Sequence, residues 1–360
     1  MNVLALADDV TGALEVGALL QAPVFLDADT EFVGCGVIDT ETRHLGAREA
    51  GDKILSCIRS RQPELIYKKT DSTLRGNIGV ELAALANAYP ERQLIFLPAY
   101  PAMGRTVVQG ELRVHGVPVH LSDFASDALN PVAKSTVAAL FHPDFRVSSE
   151  NVAQAVSLLS RDSSRLFMGG SEQPPLVRAS IVDASTDDDI ARVIEAALQM
   201  CPFPILAGPA SVARGIAHHF GLDSSPQEPI RLFPRCLIVN GSLHPVAKEQ
   251  VRRIRPSEGW AIMNFESKSE TAQAFARELA HAVRERLEQE PFETLIILGG
   301  DSVFALLKAL NVRVIQPIGE VAAGVPVSRV GPWHLVTKAG GFGDLDLLAQ
   351  LQRAATRTDL

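Results

Sequence analysis

Lys68-Lys69-Thr70-Asp71-Ser72-Thr73-Leu74-Arg75-Gly76-Asn77-Ile78-Gly79 is preceded by the apolar run Leu65-Ile66-Tyr67 and followed by Val80-Glu81-Leu82-Ala83-Ala84-Leu85-Ala86. That pattern predicts a short buried strand, a polar crossover loop and a helix. In open α/β sheets ligands bind outside the carboxyl ends of the strands, where this loop would lie. The loop brings two ammonium groups, a guanidinium, a carboxylate, three hydroxyls and glycine-flanked amides to one place. Asp71 or Ser72 acting as a helix cap over solvated lysines would account for one polar residue and leave the rest unexplained.

The same pattern recurs on both sides. Val3–Ala7 reads as a buried strand, Asp8-Asp9-Val10-Thr11-Gly12-Ala13 as its turn, and Leu14–Leu20 as a helix. A cap and dipole partner needs one aspartate. Two adjacent ones point to a magnesium ligand or a proton acceptor. Val24–Leu26 and Gly34–Ile38 read as the next strands, the second ending in Asp39-Thr40-Glu41-Thr42-Arg43 before a helix over Ala47–Ser60. Arg43 is placed to fork a carboxylate. Gln93–Leu97 runs into a stiff loop, Pro98–Thr106, where Gly104 permits close approach and Arg105 adds another guanidinium. A hairpin over Leu112–Val119, helices over Ser135–Phe141, Asn151–Leu159 and Asp187–Met200, and strands at Ile181–Ala184 and Phe203–Gly208 continue the alternation of a mostly parallel sheet.

At 360 residues, two domains are expected. The division falls in the linker-like Asp223–Pro229, giving domains 1–222 and 233–360 joined by 223–232. The second domain reads as α/β again, with strands at Cys236–Val239, Ala261–Met263, Thr294–Leu298 and Leu335–Thr337 and a long amphipathic helix, Glu270–Gln289. A hydrophobic share of 46% with 21% charged residues is that of a soluble globular chain, and a net charge of −8 argues against nucleic acid or an anionic membrane as partner. Anionic ligands must then be held by local positive charge. Four scattered cysteines read as buried reduced thiols. With no basic leader region at Met1–Asp9 and no span-length apolar run, they predict a cytoplasmic location. The nine histidines show no zinc-type spacing.

Three loops of the second domain share one design, an apolar strand, small residues and then a helix. They are Asn240-Gly241-Ser242, Gly299-Gly300-Asp301-Ser302 and Lys338-Ala339-Gly340-Gly341-Phe342-Gly343. Glycine removes the Cβ that would hold a ligand off the backbone, and a helix N-terminus supplies unpaired donors. Together they predict an anion cradle for phosphate or nucleotide, with Lys338 as a point charge. No GxxxxGK[ST] occurs, which excludes a P-loop NTPase, and no full GxGxxG opens a helix after a strand. The first domain offers Arg43, Lys68, Lys69, Arg75 and Arg105 beside Asp8, Asp9 and Asp71. Cationic forks suit a small carboxylate, an aspartate could accept the proton of an attacking hydroxyl, and lysine with Mg²⁺ would offset phosphoryl charge. The residues therefore read as a kinase for a small hydroxy acid, with its site between two domains.

Ala7-Asp8-Asp9-Val10-Thr11-Gly12-Ala13, Lys69–Asn77, Gly104-Arg105, Gly299–Ser302 and Lys338–Asp344 resemble, in order and over nearly the whole chain, the four-carbon acid sugar kinases. The resemblance implies ATP-dependent phosphorylation of the terminal hydroxyl of a threonate, an erythronate or 3-oxo-tetronate. It implies an acid-binding first domain and an ATP-binding second one. By motif, Asp9, Arg43 and Lys69, Thr70, Asp71, Ser72 and Thr73 would contact the acid. Ser242, Gly299, Gly300, Asp301, Ser302, Gly340, Gly341 and Gly343 would contact ATP. With the bottom-up reading this makes Asp9, Asp71 and Lys69 the candidate catalytic groups, and adds Asp8, Arg75 and Arg105 to the substrate side and Lys338 to the nucleotide side. The chain departs from the family in a shortened segment between Leu20 and Ile38, in Val10 where leucine or phenylalanine is commoner, and in Ser302 where threonine is usual.

An aspartyl-phosphate phosphatase would need two aspartates spaced two residues apart after the first strand, and Asp8 and Asp9 are adjacent. A non-catalytic sugar-acid and ATP-binding regulator is the other rival. The expected partners are a small sugar acid and ATP with Mg²⁺, with no nucleic acid and no membrane, and with a homo-oligomer left open.

Overall fold

The computed structural model describes residues 1–127, 130–160, 178–222, 230, 232–255, 257–265 and 271–356. It divides into two compact units, one formed by Met1–Leu20 with Asp27–Ser225 and the other by Gln21–Leu26 with Pro226–Leu360. Of the expected linker, residues 223–229 and 231 lie outside the described residues.

The chain begins β1 (Val3–Ala7), α1 (Val10–Leu19), β2 (Val24–Phe25), β3 (Cys35–Asp39), α2 (Ala47–Ile58), β4 (Leu65–Lys69), α3 (Ile78–Ala88) and β5 (Leu94–Phe96). It goes on through β6 (Arg105–Val108), β7 (Glu111–Val114), β8 (Val117–Pro118), β9 (Arg146–Glu150), α4 (Val152–Leu159), β10 (Arg178–Val182), α5 (Asp187–Ala197), β11 (Ile205–Gly208) and α6 (Ala210–His219). After these come β12 (Cys236–Asn240), α7 (Pro245–Arg252), β13 (Trp260–Asn264), α8 (Ala272–Gln289), β14 (Thr294–Leu298) and α9 (Gly300–Ala309). The last elements are β15 (Val314–Ala322), β16 (Val325–Val330), β17 (Trp333–Lys338) and α10 (Leu347–Thr356).

In the first unit the sheet order is β3-β1-β4-β11-β5-β10-β9, with every neighbouring pair parallel. β1 and β4 are buried along their whole length, the state that a near-continuous apolar run reports in a parallel sheet covered on both faces. Ala7 pairs with both Asp39 and Lys69, so β1, β3 and β4 end at one level and their loops emerge side by side. β6, β7 and β8 form a small separate antiparallel sheet.

The second unit combines a parallel half, β13-β12-β14-β17, with an antiparallel half, β17-β16-β15-β2. Asn240, Leu298 and Lys338 share one register line, which sets the three glycine-rich loops next to one another. Ile238, Ile296, Leu298, Val327, Val336 and Leu348 centre its core.

Four readings from sequence change. Val24–Phe25, expected as a strand of the first domain, pairs antiparallel with Val314 and Ile315 of β15 and is grouped with the second unit. No strand is expected from sequence between Leu310 and Leu335, yet β15 and β16 form a hairpin there, with Pro317 and Pro326 beside register shifts in the ladder, where proline is tolerated. Ser135–Phe141 is not an α-helix but holds one 3₁₀ turn, Val137–Leu140. Its backbone is claimed elsewhere, with Ser135 accepting from the Leu112 N–H and Val137 donating to Gly110. Cysteine burial is uneven, since Cys57 and Cys236 are buried, Cys35 is intermediate and Cys201 is exposed. Among the described residues no helix is long and apolar enough to cross a membrane.

Candidate active site

In the first unit the loops after β1, β3 and β4 bring Asp8, Asp9, Arg43, Lys69 and Asp71 together. Asp9 is the N-cap of α1, its Oδ1 accepting from the Gly12 N–H at 3.1 Å and its Oδ2 from the Thr11 hydroxyl at 2.5 Å. Arg43 Nε donates to Asp8 Oδ2 at 2.7 Å, and its two terminal nitrogens reach Asp9 at 3.1 and 2.8 Å. Lys69 Nζ lies 3.3 Å from Asp8 Oδ1 and 3.0 Å from Asp9 Oδ1. The adjacent aspartates therefore converge on the same two cations instead of diverging. Gly12 makes this possible, because a Cβ there would stand 2.0 Å from Lys69 Nζ.

The strap carrying Arg43 is held locally. Thr42 and Arg43 donate their N–H groups to the Asp8 carbonyl, and the Thr40 hydroxyl donates to Ala7. Glu41 turns through a left-handed φ of 45° and accepts from the Val10 N–H at 2.9 Å. Asn77, at the N-cap of α3, sends its amide to Thr42 and Leu45 instead of capping its own helix. These are contacts between residues about 30 or more apart in sequence, which no local pattern signals.

Asp71 does not cap α3. Its Oδ1 accepts from the N–H and hydroxyl of Thr73 at 2.9 and 2.5 Å, and Arg75 grips both oxygens at 3.1 and 2.7 Å. Arg75 also meets Asp127 at 3.0 Å. Thr73 is thus spent internally, whereas Ser72 is half-exposed and makes no hydrogen bond among the described residues. Arg105 donates to the Met103 carbonyl and lies over the Phe124 ring, 5.9 Å from Cζ to centroid. It is the one of these cations with no carboxylate within ion-pair distance among the described residues. Lys68 proves to be no ligand cation: it is fully buried, and its Nζ meets Glu81 at 2.9 Å and the Lys69 carbonyl at 2.9 Å.

Burial by itself would raise the Asp9 and Asp8 carboxyls, but Arg43 and Lys69 outweigh it and hold both below the usual carboxylate range. Asp71 is likewise pushed up by burial and brought well below that range by Arg75 and Arg43. Asp39 goes the other way, driven well above it by burial, Glu41 and Asp9, and its Oδ2 is buried without a hydrogen-bond partner. Of the three central carboxylates Asp9 is the most open, its side chain 12% exposed against 3% for Asp8 and 5% for Asp71.

In the second unit the three glycine loops interlock. A Cβ on Gly241 would stand 2.0 Å from Ser302 Oγ, one on Gly340 2.0 Å from Ser242 Oγ, and one on Gly341 2.8 Å from His244 Nε2. Gly299, with φ 108°, opens α9 without a side-chain cap, so the first-turn amides of Gly300, Asp301 and Ser302 have no intrahelical acceptor. Asp301 is exposed there, and Ser302 is buried beneath the Gly241 turn. Lys338, expected as a point charge of the cradle, turns its Nζ back onto carbonyls of its own loop. His244 was not anticipated; it caps α7 by accepting the Val246 N–H on Nδ1 at 3.2 Å.

Residues 3–216 match the model of a sugar-binding N-terminal domain and residues 257–348 that of a nucleotide-binding C-terminal domain. A D-threonate kinase of Salmonella typhimurium is 25% identical over 419 aligned positions, covering 95% of this chain and 96% of the relative. That alignment is longer than the chain's 360 residues, so the relative carries insertions with respect to it. A 3-oxo-tetronate kinase of Brucella melitensis is 24% identical, covering 99% and 96%. Among solved structures, a Salmonella typhimurium LT2 protein described as a putative tRNA synthase superposes with a TM-score of 0.75 at 23% identity, covering 98% of each chain. The chain belongs to the four-carbon acid sugar kinase family, and it is an enzyme that phosphorylates a hydroxyl group.

Proposed function

We propose that this enzyme transfers the γ-phosphoryl group of ATP to the terminal hydroxyl of a four-carbon sugar acid, a threonate, an erythronate or 3-oxo-tetronate. The first unit takes the acid and the second takes the nucleotide. The observation that carries this reading is Asp9, the most accessible carboxylate of the cluster, fixed by Thr11, Gly12, Arg43 and Lys69. A fixed carboxylate beside a lysine suits acceptance of the hydroxyl proton while the neighbouring cations offset charge on the phosphoryl group. Asp71 is more completely engaged by Thr73 and Arg75, which makes it the loop's organiser and Asp9 the base. Arg105, with no carboxylate of its own, is the fork for the substrate's carboxylate, and Ser72 is the open hydroxyl for its polyol.

No group of three or more His, Cys, Asp or Glu among the described residues is arranged to hold a metal, and the oxygens of Asp8 and Asp9 face Arg43 and Lys69. In this reading Mg²⁺ would be held by the nucleotide's phosphates, not by Asp8 or Asp9, and would supply charge neutralisation there. The test is ADP release with Mg²⁺-ATP against both threonates, both erythronates and 3-oxo-tetronate, with longer aldonates as controls. Turnover on one or two C4 acids is expected. Silence across the panel with ATP still raising the melting temperature would overturn the substrate reading.

A further inference from the structure

The loop after β17 is held by two buried side chains. Lys338, the last residue of that strand, is 1% exposed, and its Nζ donates to the carbonyls of Ala339 at 2.8 Å, Gly340 at 3.2 Å and Phe342 at 2.8 Å. Gln250 of α7, 0% exposed, directs Nε2 at the carbonyls of Phe342, Gly343 and Asp344 at 3.0, 3.3 and 2.7 Å. Of the six carbonyls from Ala339 to Asp344, only that of Gly341 is held by neither.

A trans peptide points its C=O and the N–H of the following residue in opposite directions. Drawing the carbonyls of Ala339, Gly340, Phe342 and Gly343 inward therefore turns the N–H groups of Gly340, Gly341, Gly343 and Asp344 outward. None of those four has an acceptor among the described residues. A run of free backbone amides is an anion-binding concavity. Here it sits beside Ser242, against whose Oγ Gly340 packs, and one register line from the uncapped start of α9.

We propose that Lys338 is a positioning residue: with Gln250 it anchors the loop's carbonyls so that the four free amides form a preformed cradle for the nucleotide's phosphates, and its own ammonium does not touch phosphate. The burial that favours this role also pushes its amine down to about 7, and an amine still offers N–H donors to carbonyls when neutral. The inference rests on the nucleotide-binding reading of the second unit.

The test is calorimetric titration of the full-length protein with ADP at several salt concentrations, alongside steady-state KM values for ATP and for the acid. Lys338→Met is expected to weaken ADP by about tenfold or more, the effect of ~1.4 kcal/mol. The salt dependence of binding and the KM for the acid should stay as in the unaltered protein. Gln250→Leu, which removes no charge, should weaken ADP in the same direction, and it carries the test if Lys338→Met does not fold. Unchanged ADP affinity in either variant would overturn the proposal. So would a loss in Lys338→Met accompanied by a flatter salt dependence, since that marks a cation on the phosphates. If the unaltered protein binds no ADP, the nucleotide reading fails first and the cradle falls with it.

Discussion

Glu81→Leu would leave the Lys68 ammonium in the interior with one carbonyl for company. Lys68 and Glu81 are 0% and 1% exposed, their charges are 2.9 Å apart, and Glu81 Oε1 has no hydrogen-bond partner. At 2.9 Å, with an effective dielectric of about 20, their attraction is roughly 6 kcal/mol. Desolvation costs several kcal/mol for each ion, so the intact pair stands near break-even. Removing one partner does not. It forfeits the attraction and keeps a buried charge, a loss of about 3–5 kcal/mol. For a folding unit of this size that is a fall of roughly 6–20 °C in melting temperature. Lys68→Met with Glu81→Leu removes both charges and should return stability to within about 1 kcal/mol of the starting protein, or above it. Urea unfolding of the two single variants and the double variant closes the cycle. A Glu81→Leu loss below about 1 kcal/mol, or a double variant worse than either single, would refute the argument that Lys68 is a structural ion.

Asp9→Asn should leave ADP binding intact while cutting turnover by ~100-fold or more, the scale of general-base loss. Near-normal turnover would remove Asp9 from the chemistry. Gly79 lies in α3, where alanine ordinarily gains about 1 kcal/mol. A Cβ there would meet the Leu140 carbonyl oxygen at 1.9 Å, so Gly79→Ala should instead cost about 1–3 kcal/mol in denaturant unfolding, and a stabilised variant would contradict the packing.

The acid cluster sets the pH dependence. Asp9 and Asp71 have folded values below their unfolded one, so their contribution is present above pH ~4 and is lost as pH falls through the folded values. Asp39 has a raised folded value, so its contribution is present below pH ~4 and is lost as pH climbs toward that value. Asp39→Asn should therefore gain stability relative to the unaltered protein as pH rises, measured as melting temperature from pH 5 to 8. A difference independent of pH would mean that Asp39 titrates normally.

Local pattern carried far in this chain. The buried strands β1, β4, β12 and β14 are short apolar runs that end in glycine or in polar residues able to turn the chain. Their order alone yields parallel α/β sheets, with Asp8, Asp9, Lys69, Asp71 and the three glycine loops at strand ends. Strand period and turn chemistry are properties of a few adjacent residues, so a single sequence expresses them. What each polar group does was settled only by folding. Lys68 and Lys69 are neighbours with the same side chain, and because successive strand residues face opposite ways, one enters the core toward Glu81 and the other meets Asp8 and Asp9. The partner that makes Lys68 structural is 13 residues away on a helix, and the carbonyls that occupy Lys338 belong to a loop that also accepts from Gln250, 92 residues from Phe342. The β2–β15 pairing likewise joins Phe25 to Val314, far apart in sequence. Charge type is written residue by residue, but its role depends on which groups long-range packing brings within about 3 Å, and one-dimensional periodicity carries no record of that.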